Sequence, residues 1–452
     1  MNLRQQARSF VGCFFKQAVT SVDPDAITRG SVSSFALKIA ATALGFVTSL
    51  LLARVLSADG YGVYVYAAAW TTLVIGPATL GFDRLLIRQV AVYRTDAAWS
   101  LMRGLLRQAR RLTLLTSTGL TIAAGIVVWL VVAPADNQMR ATLWLALLSV
   151  PFLALIILQQ ATAQGLKQVV FGQLPSTLVR PVSFILLIFS LHAVTGAALL
   201  PAQVMALSLV VTFFTFAIGR GFLQTILPEE VKGRAVYQTE DWMWRALPLL
   251  WLGGLHLLNS QMDTLMLGTM REPREVAIYN IANRTAELMT FTLIAVSLTI
   301  APMVAELWAR GEVERLQAVV KKSVRAVAAV SVPLAIGLIV FGRLILRLFG
   351  PEFVQGYHVL IILTGGQLIN ALAGSVGLLL VMTNHERDVI IAHGISLFVL
   401  LALSSMLIPW WGIEGTAVAR VSSLVFWNVF LAFRVRARLG IDPTAIGRLR
   451  AN

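Results

Sequence analysis

Apolar runs of about 20 residues recur along the whole chain, separated by short polar strips. A helix of that length crosses the hydrocarbon of a bilayer, so each run predicts a transmembrane helix. The twelve runs are Ser33 to Leu56, Val63 to Phe82, Leu112 to Ala133, Ala141 to Ala163, Val182 to Leu200, Ala202 to Phe222, Ala246 to Gly268, Ala277 to Ala305, Ala326 to Phe349, Tyr357 to Thr383, Val389 to Trp410 and Gly415 to Phe433.

The strips between them alternate in charge. One set is basic: the N-terminus (Arg4, Arg8, Lys16, Arg29), residues 83–111, residues 220–245, residues 306–325, and the tail with Arg434, Arg436, Arg438, Arg448 and Arg450. The other set holds little beyond Arg140, Arg271 and Arg274. Cytoplasmic loops carry the excess of Lys and Arg, so both termini are expected on the cytoplasmic face. Residues 1–20 lack the h-region and cleavage site of a signal peptide and are expected to lie at the interface. Residues 84–111, with Trp99 and Met102 among spaced arginines, predict a helix lying on the inner leaflet and drawn to anionic lipid.

Composition agrees with a membrane chain. Of 452 residues, 57% are hydrophobic and 13% charged, and the mean hydropathy is +0.78; soluble domains are about 25% charged. The formal charge of +15 sits in strips between apolar runs rather than on one solvated face, which excludes a nucleic-acid reader. The single cysteine, Cys13, excludes an intrachain disulfide framework and a cysteine-based metal site.

The two halves repeat. Leu51 to Ala67 ("LLARVLSADGYGVYVYA") and Met266 to Ala282 ("MLGTMREPREVAIYNIA") each close one span, turn, and open the next, with Leu52/Leu267, Tyr64/Tyr279 and Ala67/Ala282 in register. Six spans per half make both halves enter from the same side, so they are expected to be related by a pseudo-twofold along the membrane normal. The expected organisation is an all-α integral membrane protein: an N-terminal segment 1–30, a six-helix bundle 31–222, a linker 223–245, a second six-helix bundle 246–433 and a basic tail 434–452.

No P-loop, G-x-G-x-x-G or H-E-x-x-H is present, and His-Glu-Arg-Asp at 385–388 is a turn rather than a metal motif. Loops on the non-basic side are about 4 to 10 residues long, too short to hold an acid and a base, so no enzyme, cofactor or metal site is expected. The informative residues are charges inside spans, each costing roughly 2.5 to 3.5 kcal/mol at mid-bilayer unless it faces a partner or a wet cavity. Lys38 shares a polar stripe with Ser31, Ser34, Thr42, Gly45 and Ser49; the alternative is that it snorkels to the surface. His256, Asn259 and Asp263 share one face, and Asn280, Arg284 and Glu287 another, where Arg284 and Glu287 could pair locally. Arg420, Ser423 and Trp427 fall together, as do Gln367, Asn370 and Gly374, with helix–helix hydrogen bonding as the alternative role. Arg54, Arg343 and Arg347 could anchor at the interface, and His192, His358 and His393 stand isolated. Lys38, Arg54, Arg284 and Arg420, with Asp263 and Glu287 as acidic members, describe a basic cavity between two bundles, suited to an anionic substrate.

The segments "SVSSFALKIAATALGFVTSLLLARVLSADGYGVYVYA" and "GFDRLLIRQVA", with "QMDTLMLGTMREPREVAIYNIANR", "APMVAELWARGEVERL" and "LFGPEFVQGYHVLIIL", resemble the polysaccharide transporter family of the multidrug/oligosaccharidyl-lipid/polysaccharide flippase superfamily. The resemblance covers nearly the whole chain. It implies a flippase moving an undecaprenyl-pyrophosphate-linked oligosaccharide across a bacterial inner membrane by alternating access, for surface or exopolysaccharide assembly. It also implies polymerase or export partners, substrate contact at Lys38 and Arg284, and coupling through Asp263 and Glu287. A multidrug exporter of the same superfamily and a non-transporting scaffold of polysaccharide synthesis are the alternatives. The exporter would present buried carboxylates where cations lead here, and the scaffold would need no cavity.

Overall fold

The computed structural model describes residues 24–131 and 137–443; the expected interfacial segment 1–20 and the end of the tail, with Arg448 and Arg450, lie outside them. Ser34 and Lys38 are described as helix backbone only. The described chain is helical from end to end: α1 (Pro24–Val55), α2 (Ala58–Ala78), α3 (Phe82–Thr95), α4 (Trp99–Val131), α5 (Asn137–Leu148), α6 (Val150–Gly165), α7 (Val169–Leu174), α8 (Arg180–Thr195), α9 (Pro201–Ile226), α10 (Thr239–Met270), α11 (Pro273–Glu287), α12 (Thr290–Ala309), α13 (Val313–Val340), α14 (Gly342–Phe349), α15 (Tyr357–Ala373), α16 (Val376–Met382) and α17 (Glu386–Leu439). Among the described residues, eight helices are long and apolar enough to cross a membrane, or nine if the bent pair α2–α3 is one span. The long α17 counts once in that tally although Gly412, at φ 54°, breaks it into two spans. With the more polar α1 and α10, the chain makes the twelve traversals of two six-helix bundles.

Several boundaries move for physical reasons. Residues 84–111 do not form one continuous helix. Leu80 (φ 50°) and Gly81 (φ 76°) bend the second span by 47° into α3, and α4 runs straight from residue 99 through the third span. The eighth span starts at Pro273 and is interrupted between Glu287 and Thr290. The fifth starts at Val169 and passes through a π-helical stretch at Pro175–Val179, so Arg180 becomes a mid-helix charge. The ninth ends at Val340, leaving Gly342–Phe349 as the short α14.

The packing is asymmetric between the two ends of the molecule, here called the basic end (loops 79–98, 227–238 and 310–312) and the far end. At the far end a single apolar core joins the bundles: Leu52, Val55, Tyr61, Ile188 and Val204 pack with Leu267, Tyr279, Phe349, Phe353 and Ile408. At the basic end the cores separate. One holds Phe82, Leu86, Met102 and Leu105 with Trp242 at the start of α10; the other holds Val304, Leu316, Leu379, Leu431 and Val435. The core common to both bundles is largest at the far end, while at the basic end the first turns of α10, with Trp242 and Ala246, still pack on the N-terminal bundle.

Candidate functional site

Where the bundles part, α1, α2, α10 and α11 enclose a cavity of about 460 Å³. The first two helices contribute Thr42, Gly45, Ser49, Tyr61, Tyr64 and Thr72; the other two contribute Ser260, Gln261, Thr264, Asn280, Asn283, Arg284 and Glu287. Thr48 and Ser49 return their hydroxyl protons to carbonyls one turn back, at 2.7 and 3.0 Å, which satisfies those donors inside the membrane. The repeat seen in sequence meets itself here: the Tyr61 hydroxyl donates to Asn280 Oδ1 at 3.0 Å across the two bundles. Leu52 and Leu267, and Ala67 and Ala282, are all buried.

Arg284 reaches over the cavity and donates from Nη1 to the Gly45 carbonyl at 3.0 Å. Glu287 accepts from Asn283 Nδ2 at 3.0 Å, and among the described residues no ion pair joins it to Arg284. The local pairing allowed by the i,i+3 spacing is therefore not made. Each group has a neutral partner and both open on the cavity. Arg180 lies within electrostatic reach of Tyr64, adding a cation that sequence reasoning missed because the fifth span begins earlier than its apolar run.

Asp263 sits behind this wall, 1% exposed. Its carboxylate accepts from the Tyr279 hydroxyl at 2.7 Å and from the Thr264 amide at 2.8 Å, and lies 3.6 Å from Arg420. Arg420 also donates to the Asn259 carbonyl. A charge pair with this many donors is what lets a carboxylate stay within a bundle.

Arg420 faces a second cavity of about 380 Å³ in the C-terminal bundle, lined also by His256, Asn259, Ser297, Asn370, His393, Ser396, Ser423 and Trp427. Ser260 lines both cavities. Asn370 takes a hydrogen bond from Asn428 at 3.0 Å and gives one to Gln367 at 3.4 Å. His393, isolated in sequence, lies with its ring 5.7 Å from that of His256.

The expected site residues thus divide among places. Thr42, Asn280, Arg284 and Glu287 meet in the first cavity; Asn259, Asn370 and Arg420 line the second, with Gln367 just behind. Arg54 joins neither. It donates to the Leu348 carbonyl at the far end, outside both cavities. Among the described residues, no three His, Cys, Asp or Glu side chains gather to hold a metal ion.

Comparison with known proteins agrees with this architecture. A family model described as polysaccharide biosynthesis protein matches residues 27–308, and one described as MatE matches residues 255–407. A probable low-salt glycan biosynthesis flippase of Haloferax volcanii is 26% identical over 415 residues, covering 90% of this chain and 83% of the relative. Among solved structures, an inward-facing multidrug resistance MATE family transporter of the MOP superfamily superposes with TM-score 0.74 at 11% identity, covering 88% of this chain and 94% of that one. The lipid II flippase MurJ, in an inward closed conformation, gives 0.67 at 14% identity, covering 90% and 87%. A MOP superfamily transporter from Pyrococcus furiosus gives 0.64 at 11%, covering 92% and 95%. With a family model spanning more than half of its length, this chain belongs to the polysaccharide biosynthesis protein family.

Proposed function

We propose that the protein carries an undecaprenyl-pyrophosphate-linked oligosaccharide across the bacterial inner membrane, by alternating access, for surface or exopolysaccharide assembly. The observation that carries this reading is the cavity between the bundles, whose largest common core lies at the far end, with Arg284 on its wall. A headgroup with about two negative charges and several sugars cannot enter hydrocarbon unaided, and a wet cavity with a cation lowers that barrier. The basic end is taken as cytoplasmic from its Lys and Arg excess, with both termini on that side, so this state is open inward. The bundles are taken as residues 31–222 and 246–433 joined by 223–245.

Lys38 and Arg284 are the cations on the path, one per bundle. Of the two acidic candidates for coupling, Glu287 opens on the cavity while Asp263 holds Arg420, so Glu287 is the better suited to take up a proton during the cycle. Anionic lipid at the basic end and the polymerase or export components of the assembly line are the expected partners.

Deletion of the gene tests the reading. Surface polysaccharide should disappear while its lipid-linked unit accumulates on the cytoplasmic side. Failure of that unit to form would point instead to an earlier enzymatic step.

A further inference from the structure

The second cavity holds polar groups for which the fold supplies no partner. The rings of His256 and His393 meet edge to face at 5.7 Å, and Trp427 lies 5.8 Å beyond His393. No described residue hydrogen-bonds a ring nitrogen of either histidine. The Trp427 indole N–H is buried and likewise without an acceptor. Buried polar atoms nearly always find partners, so the Trp427 N–H, beside two histidine rings that no described residue bonds, marks a place in this cavity of about 380 Å³ where something else supplies the bond.

The chemistry of the wall selects what that is. The cation here, Arg420, is neutralised by Asp263 at 3.6 Å, so the cavity offers no free charge for a phosphate. No carboxylate lines it, so it offers nothing to a cationic drug. What remains is a set of flat aromatic faces, the hydroxyls of Ser297, Ser375, Ser396 and Ser423, and the amide of Asn370. Apolar faces flanked by neutral donors and acceptors complement a sugar ring, whose faces are C–H and whose rim is hydroxyl. Ser260, on the wall of both cavities, makes this chamber adjoin the one that holds Arg284.

We infer that the cavity lined by His256, His393 and Trp427 is the saccharide subsite of the transported lipid, with the pyrophosphate held next to it at Arg284. The inference rests on the flippase reading and divides the substrate between two chambers: charge between the bundles, neutral sugar inside the C-terminal one. Selectivity for the glycan then lies in spans 7, 8 and 10 to 12, while the N-terminal bundle contributes to anchoring the common lipid pyrophosphate.

The test uses two probes on the full-length protein in lipid nanodiscs: the lipid-linked oligosaccharide extracted from the deletion strain, and undecaprenyl pyrophosphate without sugar. Wild type should bind the glycosylated probe at least tenfold more tightly than the bare one. Trp427→Leu should erase most of that ratio by weakening the glycosylated probe alone, and Trp427→Phe, which keeps an aromatic face but loses the N–H, should retain an intermediate ratio. His256→Leu, at a more exposed position, serves as a second variant should Trp427→Leu fail to assemble, and should reduce the ratio about threefold. Arg284→Ala should weaken both probes together. Equal binding of the two probes by wild type would overturn the subsite, as would subsite variants that weaken both alike or neither. If no lipid-linked glycan accumulates, or wild type binds neither probe, the flippase reading fails first and the subsite with it.

Discussion

Arg54 Nε donates to the Leu348 carbonyl at 2.7 Å, joining residues 294 positions apart at the far end of the molecule. Around this bond, Phe46 meets Phe349 edge-on at 5.2 Å and Tyr61 meets Phe353 at 6.3 Å, so one polar and two aromatic contacts tie α1 and α2 to the α14 region. These contacts must part for the cavity to open at the far end. In this state Arg54 helps tie the far end and lines neither cavity.

Arg54→Ala should therefore bias the protein toward a far-end-open state. The bond is exposed, so its contribution is set at about 1 kcal/mol, enough to shift the two-state ratio roughly fivefold. A cysteine at Asn280 in a Cys13→Ser background, labelled from the far side, should react about fivefold faster when Arg54 is removed. An unchanged rate would show that the aromatic contacts close this end without it.

Gly62 makes the second close contact of the far end. A Cβ added there would come within 1.7 Å of the Pro273 carbonyl oxygen, at the first turn of α11. Backbone cannot step aside as a side chain can, so Gly62→Ala should push α2 from α11. The expected cost is about 1 to 3 kcal/mol of stability, seen as a lower melting temperature of the detergent-solubilised protein. Gly254→Ala, with open space around its Cβ, is the matched control.

How much of this was legible in the sequence differs by feature. The spans were, because a run of about 20 apolar residues has few other uses, and every run reappears as a helix or a pair of helices. Breaks inside spans were not. The interruption at residues 288–289 has no proline or glycine to announce it, and Leu80 adopts a positive φ that its residue type does not favour. Arg284 and Asn280 were visible as polar positions on one helical face, but their partners, Gly45 and Tyr61, lie more than 200 positions away in the other bundle. Tyr61 escaped notice, and Tyr64 counted only as a repeat position, because a tyrosine is unremarkable near a membrane interface. His393 looked isolated because helical spacing gives no hint of a ring on α10.

The Asp263–Tyr279–Arg420 cluster is a prediction in three variants. Asp263→Asn leaves the half-buried Arg420 without its counter-ion and should cost about 3 kcal/mol, read as thermal destabilisation. Asp263→Asn with Arg420→Gln removes both charges and should restore most of it. Transport separates structure from coupling: if Asp263 only holds Arg420, the stable double variant keeps activity, and if the carboxylate carries a coupling proton it stays inactive.

Asp388, in the first turn of α17 at the basic end, gives a pH prediction. It is 4% exposed, accepts from Arg434, and lies 3.5 Å from Arg438 Nε. The Arg434 hydrogen bond, opposed by burial and aided by both guanidinium charges, holds its carboxyl below the usual range. A depressed carboxyl stabilises the fold above its unfolded value, near 4, and loses that contribution as pH falls through the lower folded value. Asp388→Asn should therefore destabilise at pH 7 by about 2 kcal/mol and make progressively less difference in acid below pH ~4. A melting-temperature gap between wild type and variant that is constant from pH 7 to pH 3 would contradict the pairing.

The sharpest prediction concerns Arg284 and Lys38 together. Arg284 Nη1 rests on the Gly45 carbonyl, and Lys38 precedes Gly45 by seven residues on the same helix, two turns nearer the basic end on the same face. A phosphate entering from that end would meet Lys38 first and Arg284 deeper. If positive charge is the requirement, Lys38→Arg keeps transport, while Lys38→Ala and Arg284→Ala abolish it at unchanged protein level. The partners of Arg284 sharpen the second half. Because it is held by a carbonyl rather than by Glu287, the double variant Arg284→Ala/Glu287→Ala should recover nothing, whereas a structural ion pair would predict recovery. Complementation of polysaccharide display in the deletion strain, with membrane abundance measured alongside, reads all four variants. An active Lys38→Ala protein would mean that this lysine only snorkels to the surface and that Arg284 alone meets the charge.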